Sequence, residues 1–213
     1  MCLHFDPNHE KATQALNFLA LMNGGEINKM KALKLVFLAD RYHLRKYGRP
    51  VIGDEYFAMK QGPVASMAKD LADKNAWLDD CEREYADRFL ATSEDKLFLA
   101  SASPVEEDVF SDSDLEALRF AWRAFGALSE WDLVNLTHAY PEWEKHGAGL
   151  THGDCRRARM EYADFFLDAD PRHPLLSLTG QRDIFGEAVS AEEKVAAREA
   201  AEEKARVRSL WAR

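Results

Sequence analysis

Residues 31–64 read KALKLVFLADRYHLRKYGRPVIGDEYFAMKQGPV, and the fold turns on this stretch. From Met30 to Leu44 apolar residues recur at helical spacing on more than one face. Met30, Leu33 and Phe37 share one face, and Leu35, Leu38 and Tyr42 share another. A helix apolar over that much of its circumference belongs in the middle of a domain. Lys34, Arg41 and Arg45 fall close together around it, since seven residues is nearly two turns. Asp40 and His43, three apart, are neighbours on a different strip. Gly48 ends the helix and Arg49-Pro50 cannot continue it. Glu55 to Lys60 alternates weakly and is rich in aromatics, which predicts a short strand. Gln61-Gly62 then turns the chain, and Pro63 suits the first turn of a helix with Val64, Met67, Ala68 and Leu71 inward.

Upstream, residues 8–22 carry Ala12, Ala15, Leu16, Leu19 and Met22 at helical spacing, closed by Asn23-Gly24-Gly25, and Asn28 caps the central helix. Downstream, residues 76–86 hold no decisive pattern. Phe89–Thr92 and Lys96–Ala100 read as a hairpin, predicted to join residues 55–60 in one three-stranded sheet. Ser113 with Glu116 gives a capping box opening a helix with Leu115, Leu118, Trp122 and Phe125 on one face, ended by Gly126. Ser129 with Asp132 opens another, with Trp131, Leu133, Val134 and Leu136, ending near Tyr140-Pro141. A glycine-rich loop over 147–153 and a helix from Asp154 to Asp168 follow, the latter with Ala158, Tyr162, Phe165 and Phe166 inward. The expected class is mainly α with a small antiparallel β-sheet (α+β). A compact helical domain covers residues 1–168, a Pro/Gly-containing linker 169–189, and a charged C-terminal helix 190–213. That tail is polar all round except for Val207, Leu210 and Trp211.

The totals set limits on function. A chain of 213 residues can build one core without disulfide or metal staples. A net charge of −9 repels phosphate at long range, so nucleic acid is disfavoured as a partner and a basic protein is favoured. The three cysteines, Cys2, Cys81 and Cys155, are far apart and odd in number, which reads as free thiols in a reducing cytoplasm. The opening MCLHFDPNHEK has no apolar core of a signal peptide, and no run approaches a membrane span.

Each candidate for chemistry has a plainer explanation. His146, His152 and Cys155 lack the paired spacing and fourth ligand of a zinc site. Cys81 sits among Asp79, Asp80, Glu82 and Glu84, which disfavour a thiolate. Cys155, before Arg156 and Arg157, is the better nucleophile but has no base. Asp40 and His43 could exchange a proton, yet no nucleophile or oxyanion donor accompanies them. The glycines fit no phosphate-cradling spacing. The basic strip Lys31, Lys34, Arg41 and Arg45 reads as a solvated face or as partners for the many carboxylates. No catalytic residue, cofactor site or metal site is assigned.

Lys31, Lys34-Leu35, Tyr47 to Pro50, Gly53-Asp54, Tyr56, Ala58 to Lys60 and Gly62 to Val64 together resemble the signature of the Panacea-domain family, whose members include the SocA-type antitoxins. The run LSEWDLVNLTHAYPEWEK, residues 128–145, is similar to the family's second block; the two stretches make up about a quarter of the chain. The resemblance implies a mainly helical antitoxin that neutralises a cognate protein toxin by direct binding. In the SocA type it implies an adaptor handing the toxin to the ClpXP protease. It implies no catalytic residues. For toxin contact the expected surface groups are Arg41, Arg45, Lys46, Tyr47, Lys60 and Gln61, and for a protease contact Leu210 and Trp211. The rival readings are a DNA-binding transcriptional regulator and an enzyme using Asp40, His43 or Cys155.

Overall fold

The computed structural model describes residues 3–178, 185 and 188–211, with Ser177 and Leu178 as backbone only. Cys2, linker positions 179–184 and 186–187 (with Gly180 and Gly186), and the last two residues of the tail lie outside the described residues. The central helix is α2, Lys29–Tyr47, preceded by α1, His9–Met22, and β1, Glu26–Asn28. Asn28 caps α2 by accepting from the amides of Met30 and Lys31, and Gly48 closes it in the left-handed conformation. Burial is unbroken from Ala32 to Arg45, as the two apolar faces predict.

After α2 come β2, Tyr56–Met59, β3, Gly62–Ala65, α3, Ser66–Asp73, and α4, Asp80–Phe89. The hairpin β4, Leu90–Thr92, and β5, Phe98–Ser101, leads to α5, Asp112–Phe125, α6, Glu130–His138, and α7, Pro141–His152. The chain continues through β6, Arg157–Arg159, a 3-10 turn at Tyr162–Phe166, α8, Pro174–Leu178, and α9, Ala191–Trp211. α2 packs against α1, α5, α6, α9, β3 and the 3-10 turn, so the core is built around it.

The class is α+β, with two three-stranded antiparallel sheets where one was expected. In the first, order β1-β5-β4, Ile27 lies opposite Leu99. In the second, order β3-β2-β6, Ala58 lies between Pro63 and Ala158. Residues 55–60 therefore never meet the 90–101 hairpin. Their partners are strands that the sequence presents as a helix start and a helix interior.

Pro63 accordingly sits in edge strand β3, where a missing amide hydrogen leaves no ladder bond broken. Helix α3 starts at Ser66, with no side-chain cap from Ala65. The Asp54 carboxylate caps it from a distance, accepting from the Met67 and Ala68 amides at 3.0 and 2.9 Å. The capping box of α5 is Ser111 with Asp114, two residues earlier than predicted. Asp114 is free for that box because it turns inward, while Glu116 turns toward α2. The predicted loop 147–153 is the second half of α7. Gly147 interrupts nothing there because the Trp143 ring fills the space beside it, where a Cβ would stand 2.9 Å from a ring carbon. Residues 154–168 are strand and 3-10 turn, not a helix, with Tyr162, Phe165 and Phe166 buried as expected.

Leu176, Phe185 and Val189, within the predicted linker, are buried in the common core. α9 lies against α2 through Ala197 and Ala201, its small buried residues. Gly48 makes that approach possible. At φ +70° it holds a conformation that costs other residues, and a Cβ on it would stand 2.5 Å from the Ala197 carbonyl oxygen.

Candidate partner interface

The polar side chains of α2 are mostly committed inside the protein. Asp40 accepts from the Val51 and Ile52 amides at 2.8 and 3.2 Å and from the Tyr56 hydroxyl at 3.1 Å. Burial pushes its carboxyl up to about 7 in spite of those donors. His43 points elsewhere and does not pair with Asp40. Its Nδ1 donates to the Arg49 carbonyl at 2.6 Å, and its Nε2 accepts from the Ser113 hydroxyl at 3.0 Å. Burial lowers it to about 4, so the ring is neutral near pH 7. These contacts tie the segment after α2 to its neighbours. They give Asp40 and His43 structural work.

Arg41 and Arg45, predicted as surface groups, are buried. Arg41 donates to the carbonyls of Phe165 and Leu167 at 2.5 and 2.8 Å and faces Glu142. Arg45 donates to the same two carbonyls at 3.0 Å and pairs with Asp168. A guanidinium presents five donors, so it can be buried where unpaired carbonyls gather, here around the 3-10 turn. Of the two readings of the basic strip, the solvated face fails, and the arginines instead meet carboxylates, Glu142 and Asp168, as well as carbonyls. Lys31 also turns in, donating to the Gly126 carbonyl at the end of α5, at 2.7 Å. Lys46 and Tyr47 are half-buried and both bind Glu116, at 2.7 and 2.5 Å, with Tyr42 as a third donor at 2.5 Å. Burial would raise Glu116, but these three donors outweigh it and hold the carboxyl at about 2.

Lys60 and Gln61 are exposed, in the tight turn between β2 and β3. They border a groove of about 610 Å³. Its apolar lining is Met30 and Leu33 from α2, Met59 and Val64 from the hairpin, and Trp131 and Val134 from α6. Trp131 is 56% exposed in spite of its size. The charged lining is Lys29, Lys34, Lys60, Lys69 and Arg156, against Asp73 alone. Lys29 and Lys69 share Asp73, at 3.1 and 2.7 Å. A second depression shares Met59, Val64 and Lys69 and continues to Phe57, Trp77 and Arg157. Trp77 is 89% exposed.

Lys34 differs from the other cations in this groove. It is 2% exposed, and its ammonium donates to the Pro63 carbonyl at 2.8 Å. Among the described residues no carboxylate pairs with it. Gly62 leaves the space it occupies, since a Cβ there would stand 3.0 Å from Nζ. Burial lowers its pKa to about 7. The sequence presents Lys34 within the basic strip but carries no sign that it lines a groove. Trp131 could have been noticed, as a tryptophan one residue inside a capped helix start and off the Leu133–Leu136 face.

Leu210 and Trp211 are exposed at the end of α9, and Val207 lines a shallow depression with Leu3 and Phe5. His146 and His152 lie on α7 and Cys155 just after it, partly buried; Cys81 is exposed. Among the described residues no three His, Cys, Asp or Glu side chains gather as a metal site would require, and no helix is long and apolar enough to cross a membrane.

A helical α+β scaffold presenting an open groove with apolar lining, exposed tryptophan and a cationic border has the anatomy of a protein-binding surface. The family described as antitoxin SocA-like, Panacea domain, matches residues 33–144, more than half of the chain, and the chain belongs to that family. The match runs from inside α2 into α7, so it includes Lys34, the β2–β3 hairpin and Trp131. No curated protein and no solved structure matches the chain.

Proposed function

We propose that this chain is the antitoxin of a two-gene pair and neutralises its cognate protein toxin by binding it directly, in the cytoplasm, through the groove between α2, α6 and the β2–β3 hairpin. Family membership supports the antitoxin role. The observation that carries the binding reading is the groove itself, which combines cationic lining and exposed tryptophan on a chain of net charge −9. Of the residues expected to touch the toxin, Lys60 and Gln61 stand on this surface. Lys46 and Tyr47 can contribute only by giving up part of their hold on Glu116, and the buried Arg41 and Arg45 act as scaffold.

Co-expression with the neighbouring gene tests this. The neighbour should be toxic alone and harmless alongside this chain, and the two proteins should copurify. A neighbour that is harmless alone, or toxic in both cases, sinks the proposal. Exposed Leu210 and Trp211 favour one extension, in which α9 offers a contact to ClpXP and the bound toxin is degraded. Replacing both by alanine should then leave toxin bound and stop its turnover, and unchanged turnover removes α9 from that role.

A further inference from the structure

We propose that the groove takes an acidic, apolar-anchored segment of the protein partner, with one of its Asp or Glu carboxylates seated on the ammonium of Lys34. This rests on the antitoxin reading and names the chemistry of the toxin segment. Three observations converge on it. Lys34 is almost fully buried, lines the groove and has, among the described residues, a single carbonyl as its hydrogen-bond partner, so donor capacity remains on an ammonium that carries three. Four further cations border the groove against one carboxylate, which selects an acidic occupant. Met30, Leu33, Met59, Val64 and Trp131 supply apolar lining beside the ammonium, so the carboxylate should be flanked by apolar side chains.

The energetics favour this arrangement. Bringing two charges out of water usually consumes what their attraction returns. Here the lysine is already desolvated in the free protein. Its lowered pKa reflects that burial. An arriving carboxylate meets a cation whose burial is complete, and only its own desolvation remains.

The test uses the full chain and two blocked pentapeptides, one alternating glutamate with leucine and one with glutamine in place of glutamate. Binding is followed by proton–nitrogen NMR at the Trp131 indole and the amides between Met59 and Val64. The glutamate peptide should shift these signals and bind at least tenfold more tightly than the glutamine peptide. Lys34→Met, which keeps the length and removes the charge, should abolish that preference while its thermal melt is unchanged or raised. In the wild-type protein the Lys34 13Cε signal should titrate at higher pH once the glutamate peptide is bound, a readout that needs no variant. Equal binding of the two peptides, a preference that survives Lys34→Met, or shifts at the same amides produced better by a short DNA oligonucleotide would each overturn the inference. A neighbouring-gene toxin bound equally well by wild type and Lys34→Met would overturn it too and leave the antitoxin reading intact. A neighbour that the wild type ignores sinks the antitoxin reading, and the peptides still decide the chemistry of the groove.

Discussion

Arg41 Nη1 stands 3.3 Å from Glu142 Oε1, and both side chains are buried to zero exposure. The pair joins α2 to α7 across the core. Arg41 also holds the Phe165 and Leu167 carbonyls, so one guanidinium fixes α7 and the 3-10 turn against the central helix. Burial raises the Glu142 carboxyl above its usual range, with Arg41 pulling it down. A contact of this kind costs most when only half of it is removed.

Arg41→Met should therefore destabilise the protein by about 3–5 kcal/mol, because it strands a buried carboxylate and takes donors from two carbonyls. Glu142→Gln should cost less, about 1–2 kcal/mol, since the amide oxygen can still face the guanidinium. The double variant Arg41→Met, Glu142→Gln should be less unstable than the sum of its single changes, by about 1–3 kcal/mol. Urea melts of the four proteins check this, and additive losses would mean that the two residues do not act as a pair.

Burial shifts four groups whose titrations oppose one another in weak acid. Burial lowers His43 and His138 to about 4, so as pH falls below 6.5 the unfolded chain gains protons that the folded one refuses, and stability drops. Burial raises Asp40 to about 7 and Asp54 to about 6, so the folded chain gains protons there first, and stability rises over much the same window. The two effects oppose each other, and these groups should leave stability nearly flat between about pH 6.5 and 4.5. Asp40→Asn keeps an acceptor for the Val51 and Ile52 amides but removes one stabilising titration. It should lose about 2 kcal/mol relative to wild type across that window. Denaturant melts at several pH values check it, and parallel curves for the two proteins would refute it.

The central helix was legible because its evidence is local. Apolar residues repeat at 3.6-residue spacing, Asn28 supplies a cap oxygen and Gly48 a left-handed stop. The burial of Arg41 and Arg45 was not, because the carbonyls they serve lie 120 to 126 positions away. No local pattern distinguishes an arginine that will meet buried carbonyls from one that will meet water. Pro63 shows the same limit. Proline fits a first helical turn and an edge strand equally well, and only the pairing with β2 decides. The groove draws on α2, the hairpin, α3, α6 and Arg156, so its lining becomes a surface only after folding. Family resemblance located Lys34 and Lys60 without saying why they matter.

The docking of α9 can be tested at Gly48. Gly48→Ala forces alanine into a left-handed conformation, at about 1–2 kcal/mol, and also drives its Cβ into the Ala197 carbonyl. Gly24 provides the control, since it has φ +90° and nothing within 4 Å of its virtual Cβ. Gly48→Ala should cost more than Gly24→Ala by about 1–2 kcal/mol and should speed tryptic cleavage within α9, at Arg198 and Lys204. Equal costs with unchanged cleavage would show that α9 does not rest on Gly48.

The seat proposed at Lys34 predicts how partner binding depends on pH. The charged and titratable groups around it are Lys29 of α2, His138 of α6, Lys60 of the hairpin turn, Lys69 and Asp73 of α3, and Arg156. His138 is already neutral near pH 7, because burial lowers it to about 4. Lys34, lowered to about 7 by burial, loses its charge just above neutrality. A bound carboxylate raises the Lys34 pKa, so binding above about pH 7 must bring in a proton. Affinity for the toxin should be level below about pH 7 and fall by up to tenfold per pH unit above it, flattening once the pH passes the Lys34 pKa of the complex. Lys34→Met should bind more weakly at low pH and lose this dependence. Isothermal titration in buffers of different ionisation enthalpy measures the proton uptake directly. A complex that forms at pH 8 without taking up a proton has no carboxylate on Lys34.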